Sequence, residues 1–349
     1  MEYKIKAYNE WLSQQSYEKL PIGLLDGKMG LCLYWYQQSH LYNNNEYEII
    51  ADKLLDEVID GLKSTKSLRY ENGIIGIAFS FLRLINEKHI EGKPDEIMKD
   101  VDDRIFQNLC FDIMNQACLT VDALSCLLWG LLYFSKRLHS AEMNKNDQII
   151  FQGIIVKGLN CIEENLRSST IAEPTSFDPF GYHLPLFIHL LYEIDQLGFY
   201  SYKVKLICRE WTERLRTSFP LSIGHRYMLS IEMMRLVPSF PVTIARTISE
   251  HAELLLQQSN LSQFFHNEIR NKNLSIQSGL AGLVYYATIS GAYDVRQYLD
   301  VIQKKIDKSN VWNLWNESKD KGDYIFDLGR SITGTIYVYQ RIKENNEND

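Results

Sequence analysis

A glycine turn that opens an apolar helix recurs along this 349-residue chain. The clearest copies are Leu24-Leu25-Asp26-Gly27-Lys28-Met29-Gly30-Leu31, Glu71-Asn72-Gly73-Ile74-Ile75-Gly76-Ile77 and Gln277-Ser278-Gly279-Leu280-Ala281-Gly282-Leu283. Weaker copies begin at Asp122-Ala123, Phe180-Gly181, Ser222-Ile223-Gly224 and Leu328-Gly329. Anchors at residues 27, 73, 123, 181, 224, 279 and 331 lie 46, 50, 58, 43, 55 and 52 residues apart. Each interval holds two helices of ordinary length with their connections. A chain written this way must fold as an array of helix pairs.

The spacing of the glycines carries a second expectation. Residues at i and i+3 share one face of a helical turn, and glycine there lets another backbone approach closely. Seven such turns are expected to crowd towards one axis, with their first N–H groups pointing into a shared cup.

Between the turns, apolar residues recur at spacings of three and four. Glu46 to Leu62 places Ile49, Ile50, Leu54, Leu55, Val58, Ile59 and Leu62 on one stripe. Ile149 to Leu166, Val204 to Leu215 and Tyr298 to Ile306 behave similarly, and no segment alternates with period two. The reading is all-α and single-domain, with loops at Met143 to Asp147 and Ser168 to Phe180 and a frayed polar tail at 343–349.

Net charge of −7 and scattered basic residues argue against a nucleic-acid surface. No stretch reaches 18 apolar residues and the first fifteen hold no apolar signal core, so a cytoplasmic chain without membrane insertion is expected. The six cysteines form no CxxC pair and read as small buried hydrophobes. Cys126 is the one to follow, since it takes the second glycine position of repeat three. His189 reads as packing.

The repeated glycine pattern resembles the lanthionine synthetase C-like (LanC) family, over residues 20 to 342. The resemblance implies an (α/α)7 double toroid and a role in maturing ribosomally made, lantibiotic-type peptides. Its cyclases join cysteine thiols to dehydrated serine or threonine, with zinc stabilising the thiolate. The family carries Cys-x-Gly in the fifth repeat and Cys-His-Gly in the sixth. Here those ligand positions hold Ser222, Gln277 and Ser278, and Phe180 replaces the histidine before the fourth-repeat glycine. Hydroxyl and amide groups are poor zinc ligands, so no metal and no other cofactor is expected.

Three functions remain open. A binding toroid would hold a precursor peptide, or a maturation enzyme, at Ser222, Gln277, Ser278, Tyr182 and Tyr227, with Tyr70 and Arg226 suiting an acidic leader. A zinc-independent enzyme would use Asp178, His183, His225 and Arg226, a histidine acting as general base and the arginine stabilising negative charge. A glycan hydrolase or lyase would pair inner-rim carboxylates among Asp26, Glu71, Asp122, Asp178 and Asp327, with Trp35 and Trp129 near the helix starts.

Overall fold

A computed structural model describes residues 1–116, 118–139, 143–166, 171–269, 273–319 and 324–347. In chain order its α-helices are α1 (Glu2–Leu12), α2 (Lys28–Tyr42), α3 (Asn45–Leu62), α4 (Ile74–Asn86) and α5 (Pro94–Asn108). Next come α6 (Val121–Leu138), α7 (Lys145–Leu166), α8 (His183–Gln196), α9 (Ser201–Thr217), α10 (Ile223–Leu236) and α11 (Val242–Gln257). A single turn, α12 (Leu261–Gln263), precedes α13 (Leu280–Ile289), α14 (Leu299–Asp307), α15 (Val311–Ser318) and α16 (Ile332–Glu347). The described residues hold no strand.

The seven helices that follow the anchors form a closed ring. Helix α2 contacts α4, and the contacts continue through α6, α8, α10 and α13 to α16, which returns to α2. Helices α3, α5, α7, α9, α11 and α14 pack outside it. This is the (α/α)7 double toroid. The seventh pair is closed from the far end of the chain, where α1 meets α16. Tyr8 of α1 shares a 2.7 Å hydrogen bond with Thr333 of α16, and Lys4 reaches the Asp307 carbonyl of α14 at 2.7 Å. Asn9 donates to Gln38 at 2.9 Å and Gln38 to Gln340 at 2.6 Å, a buried polar chain across the seam of α1, α2 and α16.

The glycines serve close approach rather than unusual torsion angles. Gly27, Gly73 and Gly279 all sit in extended backbone at negative φ. A Cβ on Gly27, Gly30, Gly73, Gly76, Gly279, Gly282 or Gly334 would strike the carbonyl six residues upstream. Each turn therefore folds back onto the start of its own inner helix. The first helical N–H groups are satisfied by that loop: Lys28 bonds the Pro21 carbonyl at 2.8 Å, Ile74 that of Ser67 at 2.9 Å and Leu280 that of Asn273 at 3.2 Å. This corrects the expectation of unpaired N–H groups facing a cup.

Further corrections concern boundaries and burial. Helix α7 begins at Lys145 inside the expected loop, and α16 continues to Glu347 through most of the expected tail. Residues 168–170 and 348–349 lie outside the described residues. Ile49 and Ile59 are exposed despite their place in the apolar stripe of α3. His189 does not pack on apolar neighbours alone: its Nδ1 lies 3.0 Å from Glu232, with Glu193 and Arg235 alongside. No described helix is long and apolar enough to cross a membrane.

Candidate functional site

The N-terminal tips of the inner helices form one rim, built in two ways. In repeats six, seven, one and two the tips are laced by backbone hydrogen bonds. The Gln277 amide donates to the Gly329 carbonyl at 3.1 Å, that of Gly329 to Leu25 and that of Leu25 to Glu71 at 2.7 Å. Repeats three to five use side-chain caps in place of the glycine fold-back. Thr120 accepts from the Ala123 amide at 3.1 Å, and Asp178 Oδ1 from the amides of Phe180 and Gly181 at 3.0 and 2.9 Å.

Repeat five is capped by two distant carboxylates. Glu173 accepts from the amides of Leu221 and Ser222 at 2.8 and 3.0 Å. Glu268 accepts from the Ile223 amide and the Ser222 hydroxyl, both at 2.8 Å. Anions at a helix start meet unpaired donors and the positive end of the dipole. His225 completes this corner and is fully buried. Its Nδ1 faces Glu173 at 2.9 Å, while Nε2 accepts the Asp178 amide at 3.0 Å. Both ring nitrogens are therefore engaged in holding the 173–178 loop on α10. Tyr182 lies beside this imidazole, ring centroids 4.8 Å apart.

The proposed site residues thus fall into separate places. Asp178, Tyr182, Ser222 and His225 share the repeat-five corner. Arg226 turns towards the outer layer, donating to the Gln258 and Leu221 carbonyls over the Phe219 ring. Tyr227 is buried. Gln277 and Ser278 belong to the laced side of the rim, where the Asn273 side-chain amide donates to the Ser278 carbonyl at 2.7 Å. The Asp178 loop crosses towards them, with Pro179 packed on Gly282.

A second grouping is only half visible in the sequence. His183, at the start of α8, is buried, and its ring makes no hydrogen bond to the described residues. Burial holds its imidazole below the ordinary value, while the nearby charges of Asp178 and Asp122 push the other way. Glu71 feels the same two carboxylates. Burial raises it above the usual range, partly offset by its own backbone hydrogen bond and by Arg69, which pairs with Asp122. Asp26 is likewise raised by burial, with Asp327 adding to the effect. At the rim, Asp26, Glu71, Asp122, Asp178 and Asp327 thus stand against Arg69 and Arg330. Sequence reasoning misses Arg69, because nothing local marks a residue four before a glycine. The Cys126 thiol is pushed by burial up to about 11, so it is not a thiolate at neutral pH.

Below the rim the axis is filled rather than hollow. Tyr70 stacks on Trp129 at 3.9 Å, Phe180 lies 5.8 Å from Tyr70, and the Tyr70 and Tyr285 hydroxyls meet at 2.7 Å. A cavity of about 160 Å³ remains beside them, reaching Arg83 and Arg341. Trp35 and Trp129 are both sealed in the core and present no face for stacking on a sugar.

The zinc of the family does not fit these residues. The Ser222 hydroxyl is committed to Glu268, and that of Ser278 lies 3.5 Å from Asn273 Oδ1 and Ser275 Oγ. Neither offers the thiolate or imidazole that zinc prefers. Among the described residues, no three histidine, cysteine or acidic side chains gather into a group able to hold a metal.

No protein-family model matches the chain, and no curated protein matches it. A nisin cyclase is among the similar solved structures. The two are 12% identical over 98% of this chain and 93% of that one, with a TM-score of 0.45. The double toroid itself rests on the helix contacts given above.

Proposed function

We propose that this chain is a LanC-like toroid of ribosomal peptide maturation that binds a peptide across its rim without the zinc centre and without closing thioether rings. The observation that carries this reading is the Ser222–Glu268 contact. Where the family's thiolate would stand, a hydroxyl donates to Glu268, the carboxylate that caps α10. The loss is built into the helix start rather than left as a gap.

The charge of the rim decides what kind of peptide it suits. The helix-start N–H groups are already bonded to their own loops, and Arg226 faces the outer layer, so little is left to receive an acidic leader. Asp26, Glu71, Asp122 and Asp178 outnumber the cations beside them, which favours a basic or neutral segment. His183 is a neutral, buried ring at the start of α8, without a hydrogen bond to the described residues. His225 is a positioning residue for the Asp178 loop. A glycan-cleaving role would need aromatic faces that Trp35 and Trp129 do not present.

The test uses a synthetic peptide bearing one dehydroalanine, one cysteine and flanking lysines. Anisotropy should report saturable binding that weakens about tenfold in a Glu71→Gln/Asp178→Asn double variant. Loss of free thiol, read by alkylation and mass spectrometry with zinc present, should run no faster than in buffer. Zinc-dependent acceleration would contradict the proposal, as would binding untouched by the double variant.

A further inference from the structure

A deep recess lies outside the rim, between outer helices α3 and α5. These two helices pack on α2 and α4 and are tied to each other at one end, where Arg104 donates to the Leu62 carbonyl at 2.6 Å. Beyond that tie they part, leaving a groove of about 770 Å³. Its floor is Phe81 of α4, and its walls are Leu55, Ile59 and Leu62 on one side and Ile97 and Val101 on the other. Ile59 is 45% exposed at the lip, and Ile49, two turns and more before it on α3, is 67% exposed. An apolar channel this size between two helices has the shape that receives a third.

Charge says which kind of helix. Helix α3 holds six acids against Lys53 alone, and α5 holds five against Lys99 and Arg104. The two together carry eight net negative charges, more than the net seven of the entire chain. Part of this is spent internally, since Glu57 pairs with Lys28, and Asp95 and Asp102 with Arg137. Asp56 and Asp60, beside Ile59, and Asp100 and Asp103 on the facing wall enter no ion pair among the described residues. Lys63 and His89 also border the groove, and Arg104 spends its guanidinium on the Leu62 and Thr65 carbonyls. A second copy of the chain docked here through a two-fold axis would set acidic wall against acidic wall.

We infer that the α3–α5 groove is a docking site for a cationic amphipathic helix of a partner polypeptide, its apolar stripe on Ile59 and Phe81 and its basic flanks on Asp56, Asp60, Asp100 and Asp103. This inference is independent of the rim and of the maturation reading, because none of these residues touches the rim.

The experiment uses the full chain and a fluorescein-labelled peptide of about 16 residues, with leucine at helical spacing and lysine elsewhere. A scrambled peptide of the same composition and a leucine/glutamate counterpart serve as comparisons. The leucine/lysine helix should bind saturably at one per chain. Ile59→Arg should weaken it about tenfold, as should the Asp100→Lys/Asp103→Lys double reversal. The Glu250→Lys/Glu253→Lys double reversal on α11 should leave it within about twofold. Because Ile59, Asp100 and Asp103 are exposed or rimming, both groove variants should keep wild-type circular dichroism, and either alone carries the test if the other misfolds. Absence of binding would overturn the inference. So would equal binding of the scrambled peptide, equal binding of the glutamate peptide, or concentration-dependent dimerisation abolished by Ile59→Arg.

Discussion

Gly76 lies directly against the carbonyl oxygen of Tyr70, in the space where any other residue would place its Cβ, and Leu24 closes the same point at 3.0 Å. The contact joins a loop to the helix it precedes and a repeat to its neighbour. Gly76→Ala must displace backbone rather than a side-chain end, and should cost roughly 3 kcal/mol. Gly153, exposed on α7, makes the opposite case, because a methyl group added there would meet nothing within 4 Å. Gly153→Ala should stabilise by about 0.5–1 kcal/mol through helix propensity. Urea denaturation of the two variants should move the midpoint in opposite directions.

The seam between chain ends should be as sensitive as the core. Asn9 holds Gln38 and accepts from the Tyr34 hydroxyl in a buried setting. Asn9→Ala leaves both groups without this partner and should cost about 3 kcal/mol, since unsatisfied buried polar atoms pay their full desolvation. Glu10→Ala, one residue along on the exposed side of α1, should change stability by less than about 0.5 kcal/mol. Thermal melts of the two variants check the difference.

His183 gives the protein a pH dependence of known sign. Its value in the folded state is depressed by burial, so the unfolded chain takes the proton first as pH falls through about 6.5. The stability it contributes is complete above that pH and is lost progressively below it. His89, also depressed by burial, acts in the same direction, so His183→Gln should flatten part of the slope between about pH 7 and 5 and leave the rest. Chemical denaturation at several pH values reads this directly. An unchanged slope would contradict the placement of His183.

Glu71 should show the reverse behaviour. Its carboxyl is raised in the fold by burial, so keeping it ionised at neutral pH costs stability. Glu71→Gln should therefore be more stable than the wild-type chain at about pH 7. That advantage should shrink as pH falls and the native carboxyl takes up its proton, and vanish below the ordinary glutamate value of about 4.3. Lower affinity for the lysine-flanked peptide is the expected accompaniment, a gain in stability at the expense of the rim.

Much of this fold is legible in the sequence because one steric demand is written locally. Gly27, Gly73 and Gly279 each require the carbonyl six residues back to pass close by, and both partners of that contact lie inside one short window of sequence. Repeats three to five read faintly because caps from Thr120, Asp178, Glu173 and Glu268 replace the glycine fold-back there, and the caps of α10 come from about fifty residues away on either side. The site is legible to a lesser degree. His225 stands beside Gly224 and draws attention for that reason, yet its two contacts, to Glu173 and the Asp178 amide, depend on a loop whose path no local pattern encodes. Arg226 shares that neighbourhood and points elsewhere, since consecutive helical residues face directions about 100° apart. Ile49 and Ile59 fit the apolar period of α3 but are exposed, Ile59 at the lip of the groove, because the pattern marks a stripe without saying what covers it.

Zinc content tests the central claim most directly. The chain, purified without chelators and dialysed against buffer containing zinc, should hold far less than one equivalent by plasma mass spectrometry, and Ser222→Ala should not alter that figure. About one zinc per chain, lost in a His183→Ala/His225→Ala double variant that still folds, would contradict it.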